Sequence, residues 1–365
     1  MPGAPSMWVA VTVAAMALAT GGCGSGGQLT GAGGAGPIMT GSGGSGLSGG
    51  TGTGAVSGMN CAANPTQLQP LPPDILIVLD TSASMNDAFD GPCAGGCGMR
   101  SKWADAVAAI DSVVGPPRPA VNWGLKLIAD GGEACDAGGI AVPTGGQSSG
   151  QITTELARRT NAGLLGTPGN SPLRAAIEVA ASHLSDRDPG PLRVILLVTD
   201  SVPDCKPGDP DPLASDAAGA VQAVGDAAAT GIATYVVGVG TLDADTDAAL
   251  DQVATAGGLA RTGTPAYAPA SKSTDLPTAM SALVTQTAAC TFAVPEPPNS
   301  ITDRGHIELQ FMGGDGFYQT IPHDPVNGWD YTDASMRGVQ LHGTACDPTA
   351  NSPFVGIVFL CVDLG

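Results

Sequence analysis

The sequence predicts an α/β fold: a doubly wound, mostly parallel sheet followed by a small C-terminal β module. Three observations carry this. Residues 75–80 (ILIVLD), 194–200 (VILLVTD) and 232–239 (IATYVVGV) are short, continuous apolar runs, the pattern of parallel strands buried on both faces. Helical stretches separate them at 102–114, 172–184, 212–229, 246–256 and 274–289, and strands alternating with helices build a parallel sheet covered on both sides. From residue 291 onward Pro, Gly and alternating segments such as HIELQF (306–311) replace that pattern.

Taken in chain order, residues 1–23 read as an export signal. The stretch 7–20 (MWVAVTVAAMALAT) is apolar and uncharged. It is shorter than the roughly 20 residues that span a bilayer, as suits a signal peptide. Cys23 follows directly, as in a bacterial lipoprotein, where it would be lipidated and hold the chain on the outer membrane or cell surface. Membrane association would then run through the lipid anchor only; ordinary cleavage nearby, giving a secreted protein, is the alternative. Residues 24–60 are mostly Gly and Ser with almost no charge, a composition that cannot offset its ordering entropy and so forms a tether. Residues 61–290 form the α/β domain. Its further strands are expected at 123–128 (WGLKLI) and, weakly, at 258–267. Residues 291–365 form the β module, with strands near 306–311, 339–342 and 355–360.

Composition excludes one class of partner. Thirty-three acidic against 14 basic side chains give a net charge of −19, and such a surface repels nucleic-acid phosphates. Nine cysteines in an exported chain point to disulfides; zinc is the weaker reading, since there is no Cys-x-x-Cys pair. Setting Cys23 aside, Cys61 lies just before the first strand and Cys290 just after the last helix. A bridge between them would clamp the domain's ends, which commonly lie close together. Cys346–Cys361, Cys93–Cys97 and Cys135–Cys205 complete the expected set.

In doubly wound folds, ligands bind beyond the carboxyl ends of the strands, which directs attention to the residues after Leu79, Thr199 and Val239. Asp80-Thr81-Ser82-Ala83-Ser84 follows the first strand. One carboxylate and two hydroxyls in a single turn are oxygen donors of the kind a hard divalent cation takes. This Asp-x-Ser-x-Ser turn resembles the first motif of the metal-ion-dependent adhesion site (MIDAS) in von Willebrand factor type A domains. Asp200, in Val198-Thr199-Asp200, matches the family's second acidic position, with Ser201 where the family usually has Gly. Between them the family places a hydroxyl at the start of a helix. Two residues compete for it: Thr167, before Pro168, and Ser171, before Pro172, which also reads as a helix cap.

The resemblance covers about residues 74–289. It implies a Rossmann-like sheet and a site holding Mg2+ (or Mn2+ or Ca2+) through Asp80, Ser82, Ser84, Ser171 and Asp200. It also implies a protein partner whose Glu or Asp carboxylate completes the coordination, and hence adhesion or protein binding rather than catalysis. A structural envelope protein with a degenerate site and, further off, a metal-dependent hydrolase are the rivals. The acidic run 243–247 starts like an EF-hand loop, but Ala248 and Ala254 stand where Gly and Glu are required, so it is read as a helix start. The four His show no metal-ligand spacing, and no Walker, Gly-x-Ser-x-Gly or His-Glu-x-x-His motif occurs.

Overall fold

The computed structural model describes residues 65–93, 96–115, 121–128, 135–162, 170–211, 214–288, 290–300, 302–313, 317–347 and 355–361. The signal, Cys23, the Gly/Ser tract and Cys61 lie outside them. Among the described residues, no helix is long and apolar enough to cross a membrane.

Two short strands, β1 (Thr66–Gln67) and β2 (Gln69–Pro70), precede the α/β domain. The domain runs β3 (Asp74–Leu79), α1 (Lys102–Val114), β4 (Asn122–Leu127), β5 (Ile140–Gly145), α2 (Ser149–Ala162), α3 (Leu173–Ser185), β6 (Arg193–Thr199), α4 (Ala217–Ala229), β7 (Ile232–Val239), α5 (Ala244–Ala256), β8 (Ala268–Ala270) and α6 (Asp275–Ala288). Its six strands lie in the order β5-β4-β3-β6-β7-β8. All neighbours are parallel except β5, which pairs antiparallel with β4 at the edge.

The pleat of β3 shows why its sequence is a continuous apolar run. Ile75, Ile77 and Leu79 point into one core with Trp103 and Ile110 of α1, Ile152 and Leu156 of α2, and Leu276 and Met280 of α6. Leu76 and Val78 point into the other, with Leu173 and Ile177 of α3, Val224 of α4 and Leu250 of α5. Each fully buried aliphatic side chain contributes about 1.5–3 kcal/mol, so the two layers are both sources of stability.

Two expectations are corrected here. The last strand lies at Ala268–Ala270, not 258–267, and Gly258 makes only an isolated bridge with Thr234. Helix α4 begins at Ala217, with residues 212 and 213 outside the described residues. The edge strand β5 and helix α2 are additional to the expected elements.

β5 is fastened by His183 of α3, whose Nε2 accepts the Thr144 N–H at 3.1 Å. Burial, then the Arg187 charge, holds this imidazole's pKa below its ordinary value. The folded state thus favours the neutral ring, and the stability it contributes is present above about pH 6.5 and lost as pH falls through the lowered pKa. Wild type should therefore lose more melting temperature than His183→Gln between about pH 7 and about pH 5. Equal losses would show that this contact does not set the acid limb.

The C-terminal module is a pair of antiparallel sheets. β9 (Thr291–Ala293), β10 (Ile307–Met312), β11 (Tyr318–Ile321), β12 (Trp329–Tyr331), β13 (Gly338–Leu341) and β14 (Val355–Phe359) combine with β1 and β2 into the orders β1-β14-β10-β11 and β12-β13-β9-β2. The module therefore takes strands from both ends of the α/β domain, around a core that includes Leu68, Leu309, Trp329, Val339 and Ile357. It touches the α/β domain at the turn before β6. There the Gly190 N–H donates to Asp333 Oδ2 at 2.8 Å, and Arg193 pairs with Asp333 at 3.5 Å. This is the amino-terminal end of the strands, opposite the edge where Asp80 and Asp200 lie.

Cys93 pairs with Cys97 and Cys135 with Cys205. The other two expected bridges are corrected: Cys290 joins Cys346, so neither Cys61–Cys290 nor Cys346–Cys361 forms. The cause lies in the module. Cys290 is only 1% exposed and belongs to the β core, where Cys346 packs beside it. Cys361 is disulfide-bonded to a partner outside the described residues.

Candidate metal centre

β3 is followed by Asp80, which is fully buried. Its Oδ1 accepts the Ser82 N–H at 2.7 Å, closing a tight turn, and a single 3-10 turn over Ala83–Asn86 follows. That turn sets Ser82 and Ser84 side by side, their hydroxyls 2.9 Å apart. The other Asp80 oxygen, Oδ2, accepts from Thr199 Oγ1 at 2.5 Å and from Ser171 Oγ at 3.5 Å.

Asp200 follows β6, the strand beside β3. Its Oδ1 accepts from Ser84 Oγ at 2.8 Å, Ser201 Oγ at 3.1 Å and Ser82 Oγ at 3.5 Å. Ser201 Oγ is also 3.0 Å from Ser82 Oγ. Asp80, Ser82, Ser84, Ser171 and Asp200 are therefore brought to one edge of the sheet. Thr167 lies outside the described residues.

Ser171 does not cap α3 as its sequence suggests. The helix starts at Leu173, and no side chain closes its amino terminus; the Ser171 hydroxyl is turned toward Asp80 instead. Its backbone is held by Asp204, whose Oδ1 accepts the Ser171 N–H at 2.7 Å while the Asp204 N–H donates to the Ser171 carbonyl at 3.2 Å. Burial, reinforced by the Asp80 charge, raises the Asp204 carboxyl to about 6. Burial first and the Asp200 charge second also raise the Asp80 carboxyl.

The structural neighbours include BatB of Bacteroides thetaiotaomicron, at 20% identity over 59% of this chain and 98% of that one, with a TM-score of 0.42. Another is proximal thread matrix protein 1 of the mussel byssus with a zinc-occupied MIDAS motif (14% identity, 63% of this chain, 50% of that one, TM-score 0.40). A third is a von Willebrand factor type A protein of Catenulispora acidiphila (12% identity, 80% of this chain, 59% of that one, TM-score 0.40). The chain thus spans about half the mussel protein's length. No protein-family model and no curated protein matches the sequence. The doubly wound sheet and the turn that Asp80 closes are those that the resemblance to von Willebrand factor type A domains implies.

The donor set suits a hard cation. Two carboxylates, 0% and 1% exposed, face three mutually hydrogen-bonded serine hydroxyls, and like charges buried together favour a cation between them. Every donor is oxygen, which disfavours softer metals. Among the described residues there is no group of three His, Cys, Asp or Glu that could hold a metal ion.

Three participants were not read from the sequence as site residues. Ser201 adds a hydroxyl, and Asp204 positions Ser171. Lys102, the first residue of α1, places its Nζ 2.5 Å from Asp200 Oδ2. A second acid four residues after Asp200 was the available signal for Asp204. For Lys102 the signal was a cation in a helix's first turn, where the helix dipole disfavours one.

Proposed function

We propose that the domain is a metal-dependent protein-binding module of the adhesion type. Asp80, Ser82, Ser84, Ser171 and Asp200 hold a divalent ion, Mg2+ or Mn2+, directly or through water. A carboxylate of a protein partner completes its coordination. The observation that supports this best is the turning of Ser171 away from its helix and toward Asp80, because a structural serine there would cap α3. Few formal charges surround the ion, so it retains affinity for an external anion.

A binding role is favoured over catalysis because a hydrolase would need a general base beside the ion. His183 is engaged with Thr144, His306, His323 and His342 belong to the C-terminal module, and the Asp204 carboxyl is committed to the Ser171 N–H. The disulfides fit an oxidising compartment outside the cytoplasm. Attachment through a lipid on Cys23 is the proposed way to hold the site at the cell surface, with the β module on the far end of the domain from the site.

Chelation tests this reading. The immobilised chain should retain an envelope protein in millimolar Mg2+ and release it into EDTA. Replacing the responsible Asp or Glu of that partner by Asn or Gln should abolish retention. Retention unaffected by chelation would refute metal-dependent binding. The structural alternative, a degenerate site, is favoured by the ion pair between Lys102 and Asp200.

A further inference from the structure

The contact between Lys102 and Asp200 is built by three separate elements. Ser101 caps α1 by accepting the Ala104 N–H at 3.1 Å, and the Lys102 N–H donates to the Asp87 carbonyl at 2.8 Å. Both fix where the lysine leaves the helix. β6 delivers Asp200, whose side chain is 1% exposed against 13% for that of Lys102. β7 is followed by Gly240 at φ +87°, and a Cβ there would lie 3.0 Å from Lys102 Cδ, tighter than most real contacts. A glycine in a left-handed conformation thus clears the path of the lysine stem.

An ammonium in the first turn of a helix opposes the helix dipole, so local helical preference does not account for this residue. Asp200 does: its Oδ2 has no other described hydrogen bond, whereas Oδ1 takes the serine hydroxyls.

We infer that Lys102 is a tethered cation that competes electrostatically with the divalent ion for Asp200 and so lowers the metal affinity of the site. The inference rests on the metal-site reading. At Asp200 the ammonium supplies positive charge of the kind the ion would supply. An ion held on the Oδ1 side meets the ammonium on Oδ2 of the same carboxylate, and repulsion between the two cations weakens the binding of the ion. The lysine thus sets the metal affinity of the site without being a ligand.

Titration calorimetry of Mn2+ and Mg2+ into the full chain tests this, with wild type, Lys102→Met, Lys102→Gln and Lys102→Arg compared. Met keeps the stem and removes the charge; Arg keeps the charge. The Met and Gln variants should bind the ion about tenfold or more tightly than wild type, and Arg should stay close to wild type. Adding Asp200→Asn to Lys102→Met should erase the gain. Melting of the same variants, with and without Mn2+, provides a second readout that confirms folding: the metal-induced rise should be larger for Met and Gln. Binding by the neutral variants but not by wild type would support the inference in its strongest form. Wild type that binds the ion no more weakly than the neutral variants would overturn the inference and leave the metal site standing. No binding by any folded variant would overturn both.

Discussion

Asp80→Asn should remove divalent-ion binding while leaving the fold intact. Asp80 is fully buried, with one oxygen on the Ser82 N–H and the other on the Thr199 and Ser171 hydroxyls. An amide keeps the shape and can still accept from Ser82, and hydroxyls can reverse to accept from its NH2. Burial and the Asp200 charge already raise the Asp80 carboxyl, so exchanging it for a neutral group removes a cost from the metal-free state. The melting temperature without metal should be equal or higher. With metal the order should invert: an ion at a hundredfold excess over its Kd stabilises wild type by about 2.7 kcal/mol, and this gain should vanish in Asp80→Asn. Ser82→Ala, which loses only a neutral oxygen, should keep part of it. An Asn variant that gains as much from Mg2+ or Mn2+ as wild type would place the ion somewhere other than this site.

The central sheet was legible because its strands are buried on both faces and therefore read as unbroken apolar runs. The edge was not. β5 contains Pro143 and buries only some of its residues, and among the described side chains of α2 only Ile152 and Leu156 join the core, so neither produces a strong periodic signal. β8, three residues long, produces none. The pairing of β1 and β2 with β14 and β9 joins segments more than 200 residues apart and leaves no local trace. The site divides in the same way. Asp80, Ser82 and Ser84 lie within one turn and Asp200 ends a recognisable strand, so each was visible in its own neighbourhood. The pairing of Lys102 with Asp200 spans 98 residues, and only the folded sheet brings the two together.

Breaking the Cys135–Cys205 bridge should cost more stability than breaking Cys93–Cys97, and it should also weaken the site. The two bonds span 70 and 4 residues. A cross-link restrains the unfolded chain more when its loop is longer; the loop-entropy relation gives about 4 kcal/mol for the first and about 2 for the second. Cys205 follows Asp204, the residue that holds the Ser171 backbone. Cys135 lies beside residues 137–139, whose carbonyls accept from the buried ammonium of Lys126 on β4. The bond thus ties the loop carrying Asp200, Ser201 and Asp204 to a segment anchored on the sheet. Urea unfolding of Cys135→Ser/Cys205→Ser and Cys93→Ser/Cys97→Ser, without metal, should show the first pair less stable by about 2–3 kcal/mol. In calorimetry the first pair should also bind Mn2+ more weakly than wild type. Equal losses of stability would reject the loop-length account. Unchanged Mn2+ affinity would show that the loop keeps its shape without the bond.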